Sequence, residues 1–125
     1  MARPLPPHGT PNRWRIGCRC AACTAAHSAD TTGTRRARAL ADLAPHRATI
    51  LKALSEGRTP EEATLGTDLT PQRLYGIARW NEEWRDEMDA AQMSGRSPDI
   101  PHGTDMGYKH GCRCPECRRA HHPRD

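Results

Sequence analysis

Residues 8–23 read H-G-T-P-N-R-W-R-I-G-C-R-C-A-A-C, and residues 102–117 read H-G-T-D-M-G-Y-K-H-G-C-R-C-P-E-C. The two stretches align without a gap from Pro7–His27 to Pro101–His121, at a constant offset of 94 residues. Their shared frame is P-H-G-T-x3-[WY]-[RK]-x-G-C-R-C-x2-C-x2-A-H. Identical spacing over a whole module indicates one structural unit used twice.

Each copy carries three cysteines: Cys18, Cys20 and Cys23 in the first, Cys112, Cys114 and Cys117 in the second. An odd number of thiols cannot be closed by disulfides inside a unit. Tetrahedral zinc accepts three thiolates and one imidazole, and each copy offers a histidine at two fixed offsets. Cys23 and His27 are four apart, as are Cys117 and His121, which on a helix puts each pair on one face. His8 and His102 instead open an H-G-T turn that folds back over the cysteines. Spacing does not choose between them. An iron–sulfur cluster usually takes four cysteines, one more than either copy holds. Four protein ligands leave no open position, so a metal held this way is structural.

The rest of the composition explains why such staples are needed. The 125 residues contain no Val and no Phe, and Leu and Ile together number only twelve. So little apolar material cannot build a large core, and small scaffolds of this kind add a metal or disulfides. No apolar run reaches the ~18–20 residues of a membrane span, and M-A-R-P-L-P-P-H-G lacks the apolar stretch of a secretory signal. The expected location is therefore cytoplasmic, where close cysteines bind metal rather than pair.

The cysteine units resemble a small module, H-G-T…G-Y…G-C-R-C-x2-C-R-x-A, of actinobacterial and actinophage proteins. The leading histidine belongs to that motif. The resemblance implies a set of His8, Cys18, Cys20, Cys23 and a set of His102, Cys112, Cys114, Cys117, two structural zinc ions in all, with His27 and His121 as alternative fourth ligands. It covers about twenty residues at each end and implies little about a substrate.

Between the copies the pattern turns helical. A44-P-H-R-A-T-I-L-K-A-L-S-E-G57 has Ala48, Ile50, Leu51 and Leu54 at three-to-four spacing and stops at a glycine. Thr59-Pro60 with Glu62 is a capping box, and Thr70-Pro71 repeats the start eleven residues on. Two such starts predict short helices in a helix-turn-helix arrangement. Leu74 and Ile77 then face Ala63, Leu65, Leu51 and Leu54, and Leu69 plugs the turn. Residues 45–91 resemble the helix-turn-helix units of phage terminase small subunits and short actinobacterial regulators. Asp68 stands where many such turns carry glycine, which implies a looser turn.

The expected organisation is mainly α. A first zinc module (1–27) is followed by a basic linker (28–44, helical through Thr34–Leu43) and a central helix-turn-helix bundle (45–91). A flexible Gly/Ser/Pro-rich linker (92–100) leads to a second zinc module with a frayed tail (101–125). Gln72, Arg73, Tyr75 and Arg79 are the expected exposed side chains of a recognition helix, since Gln and Arg read adenine and guanine edges. Arg13, Arg15, Arg35, Arg36, Lys109, Arg118 and Arg119 are the expected phosphate contacts. Trp14 and Tyr108 are either small module cores or flat faces for a nucleobase.

Charge complicates this picture. Residues 45–95 carry six Lys/Arg against nine Asp/Glu, while the flanks carry thirteen against six. Phosphate attraction therefore belongs to the modules and linkers rather than to the reader helix. Trp84, Met88 and Ala91 form the inner side of a last helix whose acids face outward. No Ser-His-Asp set, phosphate-cradling glycine loop or H-E-x-x-H appears, so no enzyme is expected. The expectation is a zinc-containing protein that binds double-stranded DNA, either as a transcriptional regulator or as a phage packaging factor. It would act as a homodimer or with the second module replacing the second subunit. The alternative is a protein–protein adaptor that docks a basic partner on its acidic helices.

Overall fold

A computed structural model describes residues 3–122; Pro123–Asp125, within the expected frayed tail, lie outside the described residues. Among the described residues there are eight helices and no strand. In order they are α1 (Pro11–Ile16), α2 (Ala21–Leu43), α3 (Arg47–Ser55), α4 (Pro60–Ala63), α5 (Pro71–Trp80), α6 (Glu82–Gly95), α7 (Asp105–Lys109) and α8 (Pro115–His121). The small, mainly helical class expected from the sequence is the one observed.

Local chemistry starts most of these helices. Thr10, Thr59 and Thr70 each precede a proline and accept a hydrogen bond from the backbone N–H three residues on. Proline loses nothing at that first position, because its missing donor would have no intrahelical partner there. Thr59 and Glu62 complete the capping box. Asn81 and Thr104 cap α6 and α7 in the same way without a proline.

The chain divides into two compact units, Met1–Ala41 and Asp42–Asp125. Among the described residues of the first unit only Cys23 is buried. Hydrophobic burial of about 25 cal/mol per Å² therefore does little to hold that unit together. In the second unit Leu43, Ile50, Leu54, Leu69, Leu74, Ile77, Trp84 and Met88 form the core of α3, α5 and α6. The buried Trp84 indole donates from Nε1 to the Leu74 carbonyl at 3.0 Å, so its polar edge is satisfied.

Several expectations need correction. Leu65 is 78% exposed rather than packed against α5. The helix ends after one turn at Ala63, and buried Thr64 bonds from its hydroxyl back to the Pro60 carbonyl at 2.9 Å, which rolls Leu65 outward. Ala48 is exposed as well. The glycine of this turn is Gly66, with φ of 78°, so Asp68 does not loosen it. Thr67 braces the turn by donating to the Thr64 carbonyl and accepting from the Leu69 N–H.

Two connections are more ordered than their composition implied. The basic linker is helical from Ala21, because α2 begins directly after Cys20 and meets no proline before Pro45. Residues 92–100 are not a free tether. Helix α6 continues to Gly95, Gln92 is buried, and Met93 and Ile100 pack on Cys112, Cys114 and Cys117. A Cβ on Gly95 would stand 2.2 Å from the Leu54 carbonyl oxygen, so only glycine allows α6 to pass the end of α3 this closely.

Candidate metal centres

The H-G-T turn, a one-turn helix and the start of a second helix bring four donor atoms together in each copy. Nδ1 of His8 lies 3.4, 3.7 and 3.5 Å from the sulfurs of Cys18, Cys20 and Cys23. In the second copy Nδ1 of His102 lies 3.3, 3.7 and 3.5 Å from those of Cys112, Cys114 and Cys117. Within each set all the donor atoms are within 4.8 Å of one another. Metal–sulfur bonds of about 2.3 Å and metal–nitrogen bonds of about 2.0–2.1 Å at a tetrahedral angle give an N···S separation of about 3.6 Å. The donors thus have the spacing of a four-coordinate centre. All six cysteines are unbridged.

Positions shared by the two copies now have physical roles. Gly9 adopts φ of 84° and its N–H donates to the Cys23 sulfur at 3.4 Å. Gly17 and Gly111, at φ of 124° and 95°, turn the chain into the first cysteine. In the second copy Nε2 of His102 donates to the Ser97 carbonyl at 2.5 Å, which leaves Nδ1 deprotonated for a metal. Arg96 donates to the Cys114 sulfur at 3.7 Å and pairs with Glu116 at 3.2 Å.

Burial and backbone donors set the thiols differently. The Cys20 backbone N–H holds the Cys18 thiol down to about 6, against desolvation. Burial pushes the Cys112 thiol up to about 12. Each set thus pairs a lowered thiol with a raised one: burial also pushes Cys23 up in the first, and backbone and Arg96 donors hold Cys114 down to about 7 in the second.

His27 and His121 are stacking partners and not members of the ligand sets. The His27 ring lies 3.5 Å from the Trp14 ring at an angle of 3°, and His121 lies 3.8 Å from Tyr108 at 6°. The Arg19 guanidinium lies 3.8 Å from the centre of the Trp14 ring, and Arg113 lies 3.7 Å from that of Tyr108. Two groups this close to one ring centre must occupy opposite faces. Neither aromatic has a face left for a nucleobase, so they are the module cores. Arg19 and Arg113 also donate to the Trp14 and Tyr108 carbonyls at 2.6 and 2.7 Å. The two stacked histidines differ in their partners: His121 bonds through Nδ1 to Asp105 at 2.6 Å, whereas Nδ1 of His27 is buried without a partner. Pro11 stands in the first copy where the second has Asp105.

The expected DNA-contacting residues fall into two groups. Gln72, Arg73 and Arg79 are exposed on α5, and Gln72, Gly76 and Arg79 recur at helical spacing on one side. Arg73 pairs with Asp42 at 3.2 Å. Arg35, Arg36 and Arg119 are exposed. Arg15 pairs with Asp30 at 3.3 Å, Lys109 with Asp105 at 3.1 Å, and half-buried Arg13 donates to the Pro6 carbonyl. Tyr75 and Arg118 are used inside the fold. Tyr75 is half-buried, accepts from Gln92 at 3.1 Å and is pushed up in pKa by burial. Arg118 lies over the Tyr75 ring, bonds to Asp89 at 2.5 Å and to Gln92 at 3.2 Å, and donates to the Arg113 carbonyl. That network joins α5, α6 and α8, and sequence periodicity did not show it.

The stacked histidines had a visible signal. The [WY] and A-H positions recur in both copies with the same separation, and an internal repeat preserves such pairs when they touch. The chain matches no protein-family model, no curated protein and no solved structure. Among the described residues no helix is long and apolar enough to cross a membrane.

Proposed function

We propose that this is a cytoplasmic double-stranded-DNA-binding protein whose two Cys3His centres hold zinc as structural staples, in the manner of a transcriptional regulator or a phage packaging factor. The observation that carries the reading is the segregation of charge between the units. Residues 1–41 contain seven arginines and one acid, Asp30, a net of +6 that leaves −2 for residues 42–125 of the chain's +4. A zinc ion with three thiolates and a neutral imidazole adds −1 to each unit, so the first keeps a strong positive field. Such a field supplies most non-specific affinity for a polyanion.

The exposed Gln72, Arg73 and Arg79 of α5 suit base-edge contacts, and the resemblance of residues 45–91 to terminase and regulator helix-turn-helix units points the same way. The adaptor alternative is weaker on α6, where Arg47 engages Glu83 and Glu87 and Arg118 engages Asp89. In this reading the protein is not an enzyme, since each metal already has four protein ligands.

The test is binding of the zinc-loaded protein to a mixed-sequence duplex at low and near-physiological salt. Tight binding that weakens steeply with salt is expected. Absence of binding at both salts would remove the DNA reading and return the adaptor.

A further inference from the structure

The second half of α2 is the least explained element of the molecule. None of residues 28–41 is buried, although all are helical. An amphipathic helix hides an apolar stripe, and a helix without one needs a partner or many side-chain pairs to persist. The ion pair between Asp30 and Arg15 is exposed, with 45% and 59% of the two side chains accessible. Residues 30–34 read D-T-T-G-T, each a poorer helix former than alanine, with Gly33 the poorest. The Thr34 hydroxyl bonds back to the Asp30 carbonyl at 3.0 Å, an arrangement that slightly loosens a helix.

Directly after this weak stretch come Arg35, Arg36 and Arg38, all exposed. From Ser28 to Ala41 every other side chain except Asp30 and Leu40 is Gly, Ala, Ser or Thr. We infer that residues 28–41 of α2 are the principal contact with duplex DNA, entering the major groove, which stabilises their helix; this rests on the DNA-binding reading above.

Three considerations select this occupant. Its charge matches the phosphates, whereas α5 belongs to a unit of net −2. Its slender side chains suit a groove about 12 Å wide, into which a helix of about 10–12 Å diameter only just fits. An A-form RNA duplex has a major groove too deep and narrow for such an element. Residues 28–41 have no buried side chain of their own to hold them, so the groove adds stability that tertiary packing gives only near the ends of α2, at Cys23 and Leu43.

The experiment compares full-length, zinc-loaded wild type with Arg35→Ala/Arg38→Ala, Arg73→Ala/Arg79→Ala and Gly33→Ala by fluorescence anisotropy on a mixed-sequence duplex across a salt series. Circular dichroism is recorded with and without the duplex. The α2 double variant should bind at least tenfold more weakly near physiological salt, with a log–log salt slope shallower by about 2, since each phosphate contact contributes about 0.9. The α5 double variant should keep most of the slope. Duplex should raise the helical signal of the wild type. Gly33→Ala, whose added methyl meets nothing within 4 Å, should tighten binding up to about fivefold by lowering the cost of ordering. If wild type binds and the α2 double variant matches it in affinity and slope, the inference fails and the DNA reading stands. If wild type binds but Gly33→Ala leaves affinity unchanged, ordering in the groove is wrong. If wild type does not bind even at low salt, both fall together.

Discussion

Replacing His27 and His8 by alanine, one at a time, separates the two roles that histidine plays in the first module. His27→Ala removes a ring stacked 3.5 Å from Trp14, with Arg19 left on the other face. Such an aromatic pair is worth about 0.5–1.5 kcal/mol beyond its burial. Because Cys23 is the only buried residue among those described in 1–41, folding of this unit and metal binding are one process, and the lost stacking registers as lost metal affinity. At 1.36 kcal/mol per tenfold, the expected loss is roughly 2- to 12-fold. His8→Ala instead removes the Nδ1 donor that lies 3.4–3.7 Å from all three sulfurs. Changes one shell further out already cost about 10–100-fold in metal affinity, so loss of the ligand should exceed about 100-fold. Competition with a chromophoric chelator on the full chain measures both, with the second site as internal reference. A loss for His27→Ala equal to or greater than that for His8→Ala would refute the ligand assignment.

Chelation of the zinc-loaded protein should expose residues 3–41 to protease before α3–α6, because the latter keep the Trp84 core and the former have no buried side chain but Cys23; simultaneous cleavage would contradict this. Gly107→Ala places a methyl 2.6 Å from the Pro101 carbonyl oxygen and 2.8 Å from the Cys117 sulfur, so metal content should fall from two per chain to one while the first site stays loaded. The Glu62 carboxyl is held below its usual range chiefly by the Thr59 N–H, so its contribution is full above the ordinary Glu pKa and is lost as pH falls through the lower folded value. The difference in urea midpoint between wild type and Glu62→Ala, clear at pH 7, should therefore narrow progressively as pH falls below the ordinary Glu pKa of about 4.3; a constant gap would mean that the carboxylate charge is not what caps α4.

Features that depend on residue type at short range are legible in the sequence. Metal donors are few in kind and fixed in spacing, so six cysteines in a repeated frame pointed to two centres, which the donor distances support. Thr59 and Thr70 cap their helices because a hydroxyl and a following proline suffice locally, and Thr10 repeats the device where the H-G-T motif predicts only a turn. What periodicity missed was decided by contacts between elements. Leu65 fits a helical stripe on paper, but the Thr64 hydroxyl ends α4 and turns it outward. Residues 92–100 look like a tether by composition, yet Met93 and Ile100 are the apolar cover that the buried Cys112, Cys114 and Cys117 need. Tyr75 and Arg118, forty-three positions apart, meet only once α5, α6 and α8 are packed. The stack of His27 on Trp14 likewise joins a one-turn helix to α2 across the cysteine turn, a geometry that no single helical period encodes.

Native mass spectrometry of the intact chain, with zinc supplied and again after chelation, tests the central claim most directly. Two zinc ions per chain, falling to one in Cys18→Ser and to one in Cys112→Ser, is the predicted result. A chain that holds no zinc, or that holds two regardless of either substitution, would contradict the assignment of the two Cys3His sets as its metal staples.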